Sequence, residues 1–486
     1  MSDRGPATGH DAHLAPPMRE GRLARLSQAL VAWAERWFPD SYVFVLIATS
    51  LVAMAVLAHG STPRAVSRAF CDGFWSLIPF TLQMAMVAIG GYVVAVSPPV
   101  AVALRRVAGL PRTGRGAVVF VALTSILLSL VNWGVSLIFS GLLVRAIAAR
   151  TDLRLDYRAA GAAAYLGLGF GFTLGISSGP AQLQTNATSI PVSLLPITGV
   201  IGFEQTILTW QNLVIVSVGT LLSVTVSYLT APSDAQARTA ADLGVDLAPA
   251  TPPTPVGPRR PGDWAAHSPV LTLALLALSA GWLSDVFAGG NPLVTLSGLN
   301  TYNFMFLLLG ALLHWRPQAL VASFAQAVPS VSGVLLQFPF YGGIAFMLTK
   351  ALADGASLSD AIARGFVGLA AGPGTFSALV AVYSAVLGFL LPSAGGKWVI
   401  EAPYVMGAAN ALEAHLGWTL MVYNIAETLP NFINPFWMLP LLGVLGLRPR
   451  DLIGYTAVQF LAHALVLPTL AALLMMTFSY HPPVVP

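Results

Sequence analysis

Charge is what this sequence has least of. Only 9% of its 486 residues are charged and 56% are hydrophobic, whereas a soluble domain carries about 25% charged residues. A chain this long with so little polar surface is excluded as a soluble globular body, and lipid must be the solvent for most of it. Cysteine is nearly absent. Cys71 stands alone, which excludes a disulfide framework or a cysteine-based metal site within one chain. Lysine occurs only at Lys350 and Lys397, so the net charge of +4 rests on arginine. In so apolar a chain, that basic excess points to the positive-inside rule and not to nucleic acid. There is no H-E-x-x-H zinc motif, and Gly395-Gly396-Lys397 runs into Trp398 and not the Ser or Thr of a P-loop. No cofactor, metal or ATP site is expected.

What the sequence does have is long apolar runs. Spans of the roughly 20 residues a membrane requires fall near 42–59, 74–97, 159–200 (interrupted), 206–230, 269–288, 301–316, 330–350, 416–446 (interrupted) and 453–478. Residues 117–149 and 375–410 are too long for simple crossings. Each would make a helix of about 50 Å against a hydrocarbon core of about 30 Å. Each also breaks in the middle, at Asn132-Trp133-Gly134 and at Pro392-Ser393-Ala394-Gly395-Gly396. Two re-entrant hairpins are therefore expected. The N-terminus carries both signs of charge and lacks the apolar core of a cleavable signal peptide. Leu23, Leu26, Leu30, Trp33 and Trp37 recur at helical spacing, which predicts an amphipathic helix over 19–38 at the lipid surface.

Arginine positions test this layout. With the N-terminus inside and the hairpins counted as no crossing, nineteen arginines fall inside, while Arg64, Arg68, Lys350 and Arg364 fall outside. An odd number of crossings in either long run would invert the downstream bias. The first hairpin then opens to the cytoplasm and the second to the outside.

The expected organisation is an all-α polytopic membrane protein with two inverted repeats, each holding a re-entrant hairpin and a broken helix. A cytoplasmic segment covers 1–41. The first repeat covers 42–230 (hairpin 117–149, broken helix 159–200), a disordered Pro-rich cytoplasmic linker 231–263, and the second repeat 264–480 (hairpin 375–410, broken helix 416–446). Three matches support the repeat: Leu82-Gln83-Met84 with Leu336-Gln337-Phe338, Ser125–Ala148 with Ser384–Gly407, and Ser178-Gly179-Pro180 with Ile433-Asn434-Pro435. Five crossings separate matching points, so the repeats are inverted, a plan found in secondary transporters.

Non-helical backbone is tolerated at membrane depth only where it is buried in protein or lines a cavity. The two tips and the two breaks, rich in Ser, Asn, Thr and Gln, are therefore the candidate binding site. The substrate-binding candidates are Asn132, Trp133, Gly134, Ser177, Ser178, Ser393, Gly395, Gly396, Lys397, Asn431 and Asn434. Ionisable groups at depth are costly and usually functional. Lys397 and Glu401, four apart, can pair on one helix face. Glu427 lies one turn before the second break. Glu427, Glu401 and Asn186 are the coupling-ion candidates, with a proton favoured over sodium. His463, mid-span in the last helix, reads as a packing residue. Gly175-Ile176-Ser177-Ser178-Gly179 formally matches the nucleophile elbow, but it follows a Gly-rich apolar helix and has no evident His or Asp partner.

The run Leu391-Pro392-Ser393-Ala394-Gly395-Gly396-Lys397-Trp398-Val399-Ile400-Glu401-Ala402-Pro403, with Asn431-Phe432-Ile433-Asn434-Pro435-Phe436-Trp437-Met438-Leu439-Pro440, resembles the bacterial short-chain fatty acid transporter family. Pro39-Asp40-Ser41-Tyr42-Val43-Phe44 and Asn132-Trp133-Gly134 resemble it too. The resemblance runs from about residue 25 to 478. It implies uptake of acids such as acetoacetate or butyrate, and an elevator motion of the kind seen in a wider group of inverted-repeat ion transporters. The dicarboxylate carriers of that group often have Ser-Asn-Thr at their tips, which this sequence lacks.

The expectation is thus a secondary carrier in a bacterial inner membrane, N-terminus cytoplasmic, moving a small monocarboxylate by cation symport. The carboxylate would lie among tip amides, Asn132, Ser393 and Lys397, and the tail against Trp133, Phe432 or Trp398. Pro98–Pro111 and Leu358–Leu369 would be connecting arms. The partners are the acid, the cation and the bilayer, and a homodimer is left open. A carrier for another small anion is the alternative, and an intramembrane enzyme the alternative of a different class.

Overall fold

The computed structural model describes residues 41–187, 189–247, 262–288, 298–353, 355–391 and 393–485, with residues 260, 292 and 295. The helix expected at 19–38 and Pro392 of the second tip lie outside the described residues. Among the described residues there is no strand, only an isolated bridge between Ala353 and Ala356.

The chain starts with α1 (Ser41–Ala58), α2 (Pro63–Ser76) and α3 (Ile78–Ala95). α4 (Pro98–Val107) leads to the adjoining helices α5 (Gly114–Val131) and α6 (Trp133–Ala148). α7 (Tyr157–Leu166) passes into a π turn at Gly167–Gly171 and a 3-10 turn at Phe172–Leu174, then α8 (Gly179–Gln184) and α9 (Leu195–Thr198). α10 (Trp210–Thr230), α11 (Asp263–His267) and α12 (Val270–Ala288) follow. The same order then recurs: α13 (Leu299–His314), α14 (Pro317–Ala327), α15 (Ser332–Lys350), α16 (Leu358–Leu369), α17 (Pro373–Leu390), α18 (Ala394–Ala411), α19 (Leu416–Ile433), α20 (Pro435–Leu445) and α21 (Pro449–Met475). Packing is reciprocal. α1 and α2 lie on α15, while α13 and α14 lie on α3. α5 packs on α10 as α17 packs on α21. Seven helices among the described residues are long and apolar enough to cross a membrane.

Helix starts follow local chemistry. Thr113, Asn132, Asp156, Ser178 and Ser393 each accept a backbone N–H from the first turn of the helix they open, satisfying donors the helix itself cannot. The first broken helix leaves α geometry at Gly167, earlier than the Gly175–Pro180 break read from sequence. A Cβ at Gly167 would meet Ser125 and Ser136, one at Gly171 Ser129, and one at Gly175 Leu130. The backbone therefore sits directly on α5, and glycine spaced every four residues permits that approach.

Two local expectations are corrected. α2 and α14 fall outside the spans read from sequence. α2 forms because Thr62 caps it and Pro63 opens it, and its mixed polarity hid it from a search for apolar runs. Residues 231–247, read as part of a disordered linker, are instead held on the first half. The guanidinium of Arg115 donates to Ala231 O at 3.0 Å and that of Arg145 to Asp246 O at 2.9 Å. Arg238 N donates to Asp156 Oδ2 at 3.0 Å, and Ala231, Ala237 and Ala240 are buried. Composition could not reveal that arginines and Asp156, distant in sequence, satisfy this backbone. Residues 248–259 and 261 of that linker lie outside the described residues.

Candidate functional site

The break between α5 and α6 and the start of α18 meet at a small cavity, which parts of both broken helices also line. Its walls are Met84, Trp133, Leu168, Phe172, Gly179, Val334, Phe338, Ser393, Ala394, Gly395 and Trp437. Met84 and Phe338 come from the matched Leu-Gln-Met and Leu-Gln-Phe triplets. The cavity volume is about 40 Å³, and since one water needs roughly 10–15 Å³ on this measure, a molecule of a few heavy atoms fits. The wall is apolar and aromatic except at the start of α18. There Ser393 Oγ accepts Gly396 N–H at 3.2 Å, and Ser393 O accepts Lys397 N–H at 2.8 Å. Ala394 and Gly395 thus present first-turn N–H groups at a helix N-terminus, where a negative group is stabilised.

One turn behind lies a charged cluster. Lys397 is fully buried. Its Nζ pairs with Glu401 Oε1 at 2.8 Å and with Glu427 Oε1, and donates to Ser384 O at 2.6 Å. Ser384 Oγ donates to Glu401 Oε2 at 2.5 Å. The Lys397 ammonium lies 4.6 Å from the centre of the Tyr423 ring. Tyr423 OH donates to Ala394 O at 2.6 Å, so one side chain links cluster and cavity.

The expected site residues divide. Trp133, Ser393 and Gly395 line the cavity, and Gly396 and Lys397 stand behind it on α18. The expected Lys397–Glu401 pair is present, but Lys397 faces two carboxylates and not the cavity. Asn132 is buried and fully engaged. Its Oδ1 accepts Val135 N–H at 2.9 Å, and its Nδ2 donates to Tyr302 OH at 2.9 Å and Val87 O at 3.4 Å. These bonds hold the break. Gly134 packs on α3 at Ala88 and Gly91. Ser177 Oγ donates to Ser129 O at 2.6 Å, in the link between the 3-10 turn at Phe172–Leu174 and α8. Ser178 caps α8 and accepts from Asn424 Nδ2 at 3.1 Å. Asn431 O accepts Tyr165 OH at 2.8 Å. Asn434 caps the end of α19. The Asn186 carbonyl accepts the N–H groups of Ser189 and Ile190. His463 is satisfied by Ser223 Oγ at 3.0 Å and Gln459 O at 2.8 Å, between the rings of Phe170 and Phe432.

A sequence model described as short chain fatty acid transporter matches residues 22–476. The chain belongs to the short-chain fatty acid transporter family. An Escherichia coli (strain K12) protein described as a candidate short-chain fatty acid transporter is 32% identical over 455 residues, covering 90% of this chain and 97% of that one. A Haemophilus influenzae protein described in the same words is 28% identical over 451 residues, covering 90% and 98%. Among solved structures, the Alcanivorax borkumensis YdaH transporter superposes with a TM-score of 0.57 at 17% identity, covering 90% of this chain and 98% of that chain. Neisseria gonorrhoeae MtrF, from work on antimetabolite efflux pumps, gives 0.57 at 15% identity, covering 96% and 100%. These two show the fold. Family membership makes the chain a multi-pass membrane transporter.

Several cavity and cluster residues of this family member, Phe172, Val334, Ser384, Tyr423 and Trp437, were not singled out from sequence, nor was Asn424, which donates to Ser178. Trp437 lay in the quoted resemblance. Tyr423 and Asn424 had a signal in their polarity within an apolar span one turn before Glu427.

Proposed function

We propose that this protein is a secondary carrier of short-chain fatty acids, small monocarboxylates of the acetoacetate and butyrate kind, coupled to protons in preference to sodium. The observation that carries the reading is the cavity at the start of α18. A carboxylate would accept the Ala394 and Gly395 N–H groups, with Ser393 beside it. A short tail would lie against Trp133, Phe172, Phe338 and Trp437. An apolar wall matches an alkyl group, and the small volume excludes a long one. Glu427 and Glu401 are the proton candidates, since each is a buried carboxylate one or two turns from the ligand.

In this reading the recurring order of elements reflects two inverted repeats. α5–α6 and α17–α18 are re-entrant hairpins open to opposite sides of the inner membrane, with the N-terminus cytoplasmic. The hairpins and broken helices would move as an elevator against α1–α3 and α13–α15, with α4 and α16 as connecting arms, in a monomer or homodimer. Purified protein in liposomes tests the substrate. Labelled acetoacetate and butyrate are expected to accumulate unchanged under an inward proton gradient. Saturable uptake of unrelated anions without these acids, or chemical alteration of the label, would overturn the reading.

A further inference from the structure

The charged cluster behind the cavity has a property that no one of its residues has alone. It holds two carboxylates, Glu401 and Glu427, and one ammonium, Lys397, all at most 1% exposed. With every group ionised the unit carries one net negative charge, while a single added proton makes it neutral. An unbalanced charge buried in a low-dielectric interior is strongly disfavoured. We propose that Glu401, Lys397 and Glu427 form one proton-binding unit, neutral only with one proton shared between its two carboxylates, and that only the neutral unit moves with the substrate domain.

This rests on the proton-coupled reading above and deepens it. Lys397 becomes the unit's internal counter-ion and not a ligand of the substrate. The proton comes from the aqueous phase, converts one carboxylate to a carboxyl, and leaves to the opposite phase after transit. No other bond forms or breaks. The geometry supports sharing. Lys397 Nζ bridges the Oε1 atoms of both glutamates, and Ser384 supplies its carbonyl to the ammonium and its hydroxyl to Glu401 Oε2. Loading of the unit can be felt at the cavity because Tyr423 reaches both, its ring against the ammonium and its hydroxyl on Ala394 O.

Among the described residues, the other titratable groups that face the unit are Tyr423 from α19, Tyr404 from α18 and Tyr383 from α17, with Tyr341 of α15 beside Tyr423. Tyr383 and Tyr404 bond to each other at 2.9 Å, and Tyr341 bonds Gln337 at 3.3 Å. α16 and α21, packed behind, direct Asp360 to Ser357 and His463 to Ser223 and Gln459, away from the unit, and Arg364 is exposed. No second cation among the described residues balances the extra carboxylate.

The pH slope of transport tests this by counting charges. Uptake of labelled acetoacetate into proteoliposomes is measured against external pH at clamped membrane potential, with flux through protein-free liposomes subtracted. On the limb where rate falls with rising pH, one required proton gives about a tenfold fall per pH unit, none gives no slope, and two give about a hundredfold. The wild-type protein is expected to show the one-proton slope. E401Q and E427Q leave one carboxylate with the lysine and are expected to be flat. K397Q leaves two carboxylates and is expected to show the two-proton slope. The double variant K397Q/E427Q, with a single carboxylate and no unpaired ammonium, is expected to return to the one-proton slope, and it serves if K397Q alone does not fold. A wild-type one-proton slope that survives in both E401Q and E427Q, or a flat double variant, would overturn the proton unit while leaving proton coupling intact. A wild-type rate that follows sodium and ignores pH would overturn the proton reading itself, and the unit with it.

Discussion

At the scale of single residues, neighbouring glycines at the start of α18 have opposite tolerances. A Cβ at Gly395 would meet Phe80 at 3.4 Å and Phe338 at 3.8 Å, ordinary contact distances on the cavity wall. Gly395→Ala is expected to fold normally but to shrink the cavity, raising the apparent KM for butyrate about tenfold, as a loss near 1.4 kcal/mol would. A Cβ at Gly396 would strike the ring of Tyr341, which is fully buried. Gly396→Ala is expected to cost about 1–3 kcal/mol of stability through overpacking, seen as a lower midpoint of thermal unfolding in detergent. Equal melting of the two variants would mean that Tyr341 has room to move. Asn132 is a substrate-binding candidate from the sequence. Its position in a break pointed to a ligand, but its hydrogen bonds run to Val135, Tyr302 and Val87. Asn132→Ala removes a helix cap and strands buried partners, so a loss of about 2–4 kcal/mol is expected. A variant that melts like the wild type but fails to bind acid would restore the ligand role.

At the scale of elements, the two halves use one frame with different chemistry. In the sequence match that places Ser125 opposite Ser384, Ile138 stands where Lys397 stands. The first half closes this seam with neutral bonds, Ser125 Oγ to Ala164 O at 2.7 Å and Ser136 Oγ to Ser125 O at 2.7 Å. The second half holds the Lys397–Glu401–Glu427 cluster there, so in the proposed reading the proton is taken up on this side. A second consequence concerns the segment after α10. Asp156 caps α7 at Ala159 N (2.9 Å), accepts from Arg238 N (3.0 Å) and from Tyr455 OH (3.3 Å), and is buried. Asp156→Ala is expected to lower stability by about 2 kcal/mol and to open residues 231–247 to limited proteolysis. Unchanged protection would show that the arginines hold the segment without it. Composition could not anticipate this, because a polar Ala-rich stretch reads alike whether water or a distant carboxylate satisfies its backbone.

At the scale of the whole molecule, labelling tests the arrangement across the membrane. Arg112 before α5 and Glu413 after α18 are both exposed at the bases of the two helical pairs. In a Cys71→Ser background, Cys at position 112 is expected to react with an impermeant reagent only from the cytoplasmic side, and Cys at position 413 only from outside. Reaction of both from one side would remove the inverted arrangement. The sequence by itself determined that lipid surrounds this protein and where most of its long apolar helices run, because hydropathy, Pro, Gly and capping residues act locally; it missed α2, α14 and the early departure from α geometry at Gly167. It also announced the Lys397–Glu401 pair, since positions four apart share a helix face. Only the tertiary structure decided that Glu427 joins that pair, that Tyr423 ties it to the cavity, and that Trp133, Phe172, Phe338 and Trp437 form one wall. Those contacts join residues up to about three hundred positions apart, and a burial pattern along one helix says only that a face is covered, not which other helix covers it.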